Sequence, residues 1–163
     1  MKVTITRNHA LWMNERLSSM NFGHFDRRDL EKMVANDGAI RHIADDYRKM
    51  MGELQKRLYG GIARKEIEAF NELIRENADK ARAEYPVIAE LFDKQKSVDR
   101  SLRMKVVEIE LEPISRDAFI KAAILGKADI PQGAYAMFAP MFSEDENEAD
   151  DFAELDELMA DNL

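Results

Sequence analysis

Residues 40–85 read IRHIADDYRKMMGELQKRLYGGIARKEIEAFNELIRENADKARAEY, and this stretch decides the fold. Ile40, Ile43, Tyr47, Met50, Leu54 and Leu58 recur at steps of three or four. That spacing lays one apolar stripe along a long helix. Gly60-Gly61 closes it, because glycine ends a helix at no steric cost. Beyond the turn, Ala63, Ile67, Phe70, Ile74, Asn77, Ala81 and Tyr85 repeat the steps until Pro86, which cannot continue a helix. Two helices joined by a glycine turn predict a long antiparallel hairpin with a coiled-coil-like seam. Gly52 inside the first helix costs about 1 kcal/mol relative to alanine, and close helix approach is the expected reason for it.

Working outward toward residue 1, Lys2–Thr6 alternate, with Val3 and Ile5 on one side and Lys2, Thr4 and Thr6 on the other. Period-two alternation predicts a strand. Asn8 is the expected cap of a helix carrying Met13, Leu17 and Met20, and residues 21–25 read as a turn. Asp26 is the next N-cap, with Asp29 in the first turn. A short helix through Val34 is expected to end at Asn36-Asp37-Gly38.

On the other side, Pro86 can open a short helix with Val87, Ile88, Leu91 and Phe92, followed by a basic stretch, Lys94–Lys105. Val107, Ile109 and Leu111 then alternate with Glu108, Glu110 and Glu112, a second strand ended by Pro113. Ser115 caps a helix carrying Phe119, Ile120, Ala123 and Ile124, with Gly126 after it. Pro131 opens a last helical segment running into Ala134–Phe142, nine residues whose only polar side-chain group is the Tyr135 hydroxyl. With one strand near each end of the body, mutual pairing is the simplest arrangement. A two-stranded sheet is marginal alone and must pack on helices. The predicted fold is therefore mainly α, a long helical hairpin with a small two-stranded sheet joining the N-terminal and C-terminal parts, plus an acidic tail.

Charge divides the 163 residues sharply. Ten of the 32 acids lie in residues 143–163 and no cation does, so 22 acids face all 24 Lys and Arg in residues 1–142. A body of net +2 thus carries a tail of net −10, and the domains are read as 1–142 and 143–163. Such a body has no large field to attract nucleic acid. Within the tail, Phe152, Leu155, Leu158 and Met159 fall at i, i+3, i+6 and i+7, an apolar stripe set in acid. A helix of this kind can dock in a groove and ring it with negative charge. Pure solubilisation needs the acids but not the stripe.

The other binding candidate is the 134–142 run, where Tyr135, Met137, Phe138, Met141 and Phe142 combine adaptable thioethers with aromatic rings. Core burial is the competing reading of the same composition. Lys94, Lys96, Arg100, Arg103 and Lys105 are the candidate nucleic-acid contacts, since phosphate binding needs several cations on one face. Acids interleave with the other basic clusters, which favours a salt-bridged surface instead.

Catalytic chemistry has little to stand on. Absence of cysteine excludes disulfides, thiolate metal sites and thiol nucleophiles. No nucleophile elbow, phosphate loop or zinc-protease motif occurs. His9, His24 and His42 are in no triad spacing. His42, Asp45 and Asp46 share one helix face and could offer a metal an imidazole and carboxylates. A di-metal bundle would, however, need Glu-x-x-His pairs on facing helices. The expectation is no enzyme, no metal and no cofactor.

The order of pieces Met1–Thr6, Ile40–Tyr85 and Val106–Ala123 resembles that of small phage-encoded accessory proteins, including tail-region products of unknown function. Those also begin with a short strand, continue with a charged helical hairpin, and return to a strand before a final helix. The resemblance covers much of the body and leaves the tail out. It implies a viral origin and a non-enzymatic role. The expected function is a self-associating protein–protein interaction factor, an assembly factor or an inhibitor of a host protein. A nucleic-acid-associated protein whose tail mimics or competes with nucleic acid stands second, and a metal-dependent helical enzyme third. No apolar run reaches membrane-spanning length and residues 1–7 lack a secretory core, so the expected location is cytoplasmic, the host cytoplasm for a phage product.

Overall fold

The computed structural model describes residues 1–143, and the chain forms two compact units. One unit joins Met1–Asp46 to the described residues from Arg103; the other is Tyr47–Leu102. Both boundaries between the units fall inside helices.

In the first unit, β1 (Lys2–Thr6) pairs antiparallel with β2 (Val106–Glu110), Lys2 opposite Glu110 and Thr6 opposite Val106. The alternation predicted this pairing, and Ile5 and Ile109 turn inward as buried residues. Helix α1 (Arg7–Ser18) follows at once. Its cap is Thr6, not Asn8: the Thr6 hydroxyl accepts from the His9 N–H at 3.1 Å. Asn8 instead sits in the first turn, buried, its carbonyl taking a bond from Arg103 at 3.1 Å. Ala10, Met13 and Leu17 form the inner stripe of α1. A 3-10 turn (Phe22–His24) leads to α2 (Arg27–Tyr59), capped by Asp26, whose carboxylate accepts from the Asp29 N–H at 2.8 Å.

Helix α2 runs unbroken through Asn36-Asp37-Gly38, where the sequence predicted an end. Asn36 is fully buried and its amide clamps the backbone of one residue of the returning chain, on both sides of its Cα. It donates to the Glu112 carbonyl at 3.0 Å and accepts from the Glu112 N–H at 2.7 Å. A residue that usually punctuates helices is here satisfied by a partner 76 positions away. Met33, Asn36, Ile40 and Ala44 make the buried stripe of this half.

Helix α6 (Arg116–Leu125) starts at Ser115, whose hydroxyl accepts from the Ala118 N–H, and ends at Gly126. The last helical segment, opened by Pro131 as the sequence predicts, is a 3-10 run (Gln132–Met141). The core centres on Phe119, whose ring lies 4.8 Å from Phe138, 5.6 Å from Phe142, 6.3 Å from Phe25 and 6.4 Å from Tyr135. Such tilted and edge-on pairs add to area burial.

The second unit contains the end of α2, then α3 (Arg64–Glu76), α4 (Ala78–Glu84) and most of α5 (Pro86–Met104). A Cβ at Gly60 would stand 2.6 Å from the Lys56 carbonyl oxygen, so only glycine fits that turn. The arm after the turn is broken. Asn77 leaves helical geometry (φ −151°, ψ 96°), ends α3, and caps α4 by accepting from the Lys80 N–H at 3.1 Å. Pro86 then opens a 19-residue helix rather than a short one. Two side-chain bonds give the direction of α5. Tyr47 donates to the Asp99 carboxylate, and Tyr59 donates to Gln95 Oε1 at 2.9 Å. Moving forward along α2 is moving backward along α5. The antiparallel return to α2 is therefore α5, with α3 and α4 between the two. Phe70, Ala81, Ile88 and Ala89 form the small core, with Tyr85 and Phe92 edge-on to Phe70. Nothing lies within 4 Å of a Cβ placed on Gly52, so close helix approach does not explain that glycine.

Candidate functional site

The 134–142 run is core. Phe138 and Met141 are fully buried and Phe142 nearly so, while Tyr135 and Met137 are half-buried. Their aromatic contacts with Phe119 account for the composition, and a binding surface made of Phe138, Met141 and Phe142 is excluded by burial. His9 is also fully buried. Its Nε2 lies 2.5 Å from the Met137 carbonyl oxygen, which ties α1 to the 3-10 run. The tail residues Phe152, Leu155, Leu158 and Met159 lie outside the described residues.

The basic stretch is divided by helix geometry. Lys94, Lys96, Arg100 and Lys105 are exposed, and Arg103 is half-buried with its guanidinium on Asn8. At about 100° per residue, Lys96, Arg100 and Arg103 share one face of the helix and Lys94 points the other way. The Lys96 ammonium rests 4.5 Å over the Phe92 ring, a cation–π contact. The five cations therefore do not form one phosphate-binding face.

His24 and His42 are exposed. His42 Nε2 lies 3.5 Å from Asp46 Oδ2, one turn along α2. Among the described residues no group of three or more His, Asp or Glu side chains could hold a metal. Arg82 forks onto the Asp93 carboxylate, at 2.7 and 3.0 Å. That hydrogen-bonded guanidinium holds the Asp93 carboxyl below the ordinary carboxylate range. Burial pushes the Tyr59 phenol upward. Both groups serve the helix packing of the second unit.

One feature of the surface was not anticipated. Helix α6 buries Phe119, Ala122 and Ala123 and leaves Ile124 63% and Leu125 53% exposed. Ile124 is one of the apolar residues that the sequence lays along this helix. It falls outside because the buried positions follow i, i+3, i+4 from Phe119, and the next two residues rotate out to the opposite side. Lys121 lies one turn before this pair on the same outer face, and Lys127 follows Gly126; both are exposed and neither makes an ion pair among the described residues. Val106 is as exposed as Ile124, at 63%, and Met104 adds further apolar exposure beside β2. Among the described residues no helix is long and apolar enough to cross a membrane.

Compared with known protein families, with curated proteins and with solved structures, the chain matches none.

Proposed function

We propose that this is a non-enzymatic protein-binding factor whose binding element is the acidic, apolar-striped segment around Phe152, Leu155, Leu158 and Met159. The observation that carries the reading is the separation of chemistry along the chain, a net −10 over residues 143–163 against +2 before them, with large apolar residues at helical spacing inside the acid. Burial of Phe138, Met141 and Phe142 adds to it, because it removes the competing surface. The resemblance in element order to phage accessory proteins supports a role as an assembly factor or as an inhibitor of a host protein. Self-association through the same segment belongs to this reading.

Two full-length variants test it. Phe152→Ala with Leu155→Ala keeps every charge, and changing the ten acids to Asn and Gln keeps the stripe. Truncating apolar anchors at the centre of an interface costs about 2 kcal/mol or more each. The alanine pair is therefore expected to abolish capture of a protein partner from cell extract. The neutralised tail is expected to slow association and remove its salt dependence. Unchanged capture by the alanine pair overturns the proposal.

A further inference from the structure

We infer that the outer face of α6, with Ile124 and Leu125 between Lys121 and Lys127, is a docking site for the acidic segment 150–159 of the same chain. The inference rests on reading that segment as a binding element, and adds a receptor for it within the protein. Three observations converge. Ile124 and Leu125 are adjacent large apolar side chains, each more than half exposed, on a helix whose other face is core. Lys121 and Lys127 flank them without an ion pair among the described residues, and the segment to be received carries acids only. The chain also leaves the described body at the right place. The Ser143 N–H donates to the Ile114 carbonyl at 2.8 Å, one residue before the Ser115 cap of α6.

Reach follows from these positions. Ten helical residues rise about 15 Å, so Leu125 lies that far from the start of α6. Residues 144–151 span up to about 26–29 Å when extended, enough to bring Phe152 to Ile124 and Leu125 with slack. Six of those eight residues are acidic (Glu144, Asp145, Glu146, Glu148, Asp150 and Asp151), and Ser143, from which they continue, is bonded to the residue before the Ser115 cap of α6, an end where the helix dipole favours negative charge. A tether this short sets an effective concentration in the ~mM range, so docking within one chain outcompetes weak docking between chains. A partner that takes the segment must then displace it from α6, which lowers apparent affinity by the undocked fraction.

The absence of native cysteine makes a direct test simple. Ala160→Cys in the full chain places a nitroxide label beside the stripe without altering charge. The expected result is that amide signals of residues 121–127 fall to less than half their unlabelled intensity, independent of protein concentration. The loss should recede at ~1 M salt, where screening acts within about 3 Å. It should disappear with Ile124→Asp plus Leu125→Asp, both exposed positions, and equally with Lys121→Glu plus Lys127→Glu if the first pair perturbs folding. Undiminished signals at 121–127 in the labelled chain overturn the inference. So does broadening seen only when labelled and isotope-enriched chains are mixed, which would assign the site to a second copy. Neither result alters partner capture by Phe152 and Leu155, so the two proposals fail separately.

Discussion

Asn36 carries more of this fold than its size suggests. Its two bonds to Glu112 fasten the first third of α2 to the chain just beyond β2, taking up both backbone polar groups of that residue. Removing one partner of a buried hydrogen bond strands the other, at about 1–3 kcal/mol per group. Asn36→Ala is thus expected to lose about 2–4 kcal/mol in urea unfolding, with water reaching Glu112 setting the lower end. Asn36→Leu separates bonding from packing: it fills the space and still loses both bonds, so it should be nearly as damaging. A leucine variant as stable as the parent would show that volume, not the amide clamp, matters at this position.

At the scale of elements, α2 is held by packing over 33 residues despite two interior glycines. A Cβ at Gly38 or Gly52 meets nothing within 4 Å. Alanine at either position should raise stability by up to ~1 kcal/mol, through helix propensity and a less free unfolded chain. A loss instead of a gain, read from thermal unfolding, would reveal a contact at that point of the helix. These glycines also show where the sequence was and was not legible. Most signals confined to a few neighbouring residues read correctly, namely the alternation of both strands, the caps Asp26 and Ser115, and the stops at Gly60-Gly61 and Gly126; the cap of α1, expected at Asn8 and found at Thr6, is the exception. Signals answered from far along the chain did not. Asn36-Asp37-Gly38 looks like punctuation until Glu112 is brought to it, and the return arm of the hairpin is α5 because Asn77 and Pro86 divide the helices before it. The site was legible to the same degree. Apolar runs have the same composition in a core and at an interface, so Ala134–Phe142 was ambiguous. The exposed Ile124 and Leu125 could be recognised only once Phe119 fixed which side of α6 is inner.

For the molecule as a whole, the two units differ in how much apolar material holds them. The unit Tyr47–Leu102 closes over Phe70, Ala81, Ile88 and Ala89, whereas the other buries the whole aromatic cluster around Phe119. Regions with few buried contacts open first. Phe70→Ala is expected to cost about 3–5 kcal/mol, a large share of what so small a core supplies. Hydrogen exchange should then accelerate across α3 and α4 while amides of α1 and β2 stay protected; uniform acceleration would mean that the chain unfolds as a single cooperative body. The pairing of Lys2 with Glu110 has a consequence of another kind, in time. A ribosome adding about 5–20 residues per second needs roughly 5–20 s to make the hundred residues between the two strands. Throughout that interval every residue of the segment 47–102 emerges before β2 exists, so the smaller unit can fold while the larger waits. During the wait β1 keeps both hydrogen-bonding edges open, and the nascent chain is most exposed to chaperones, and to other nascent copies of itself, before its sheet has closed.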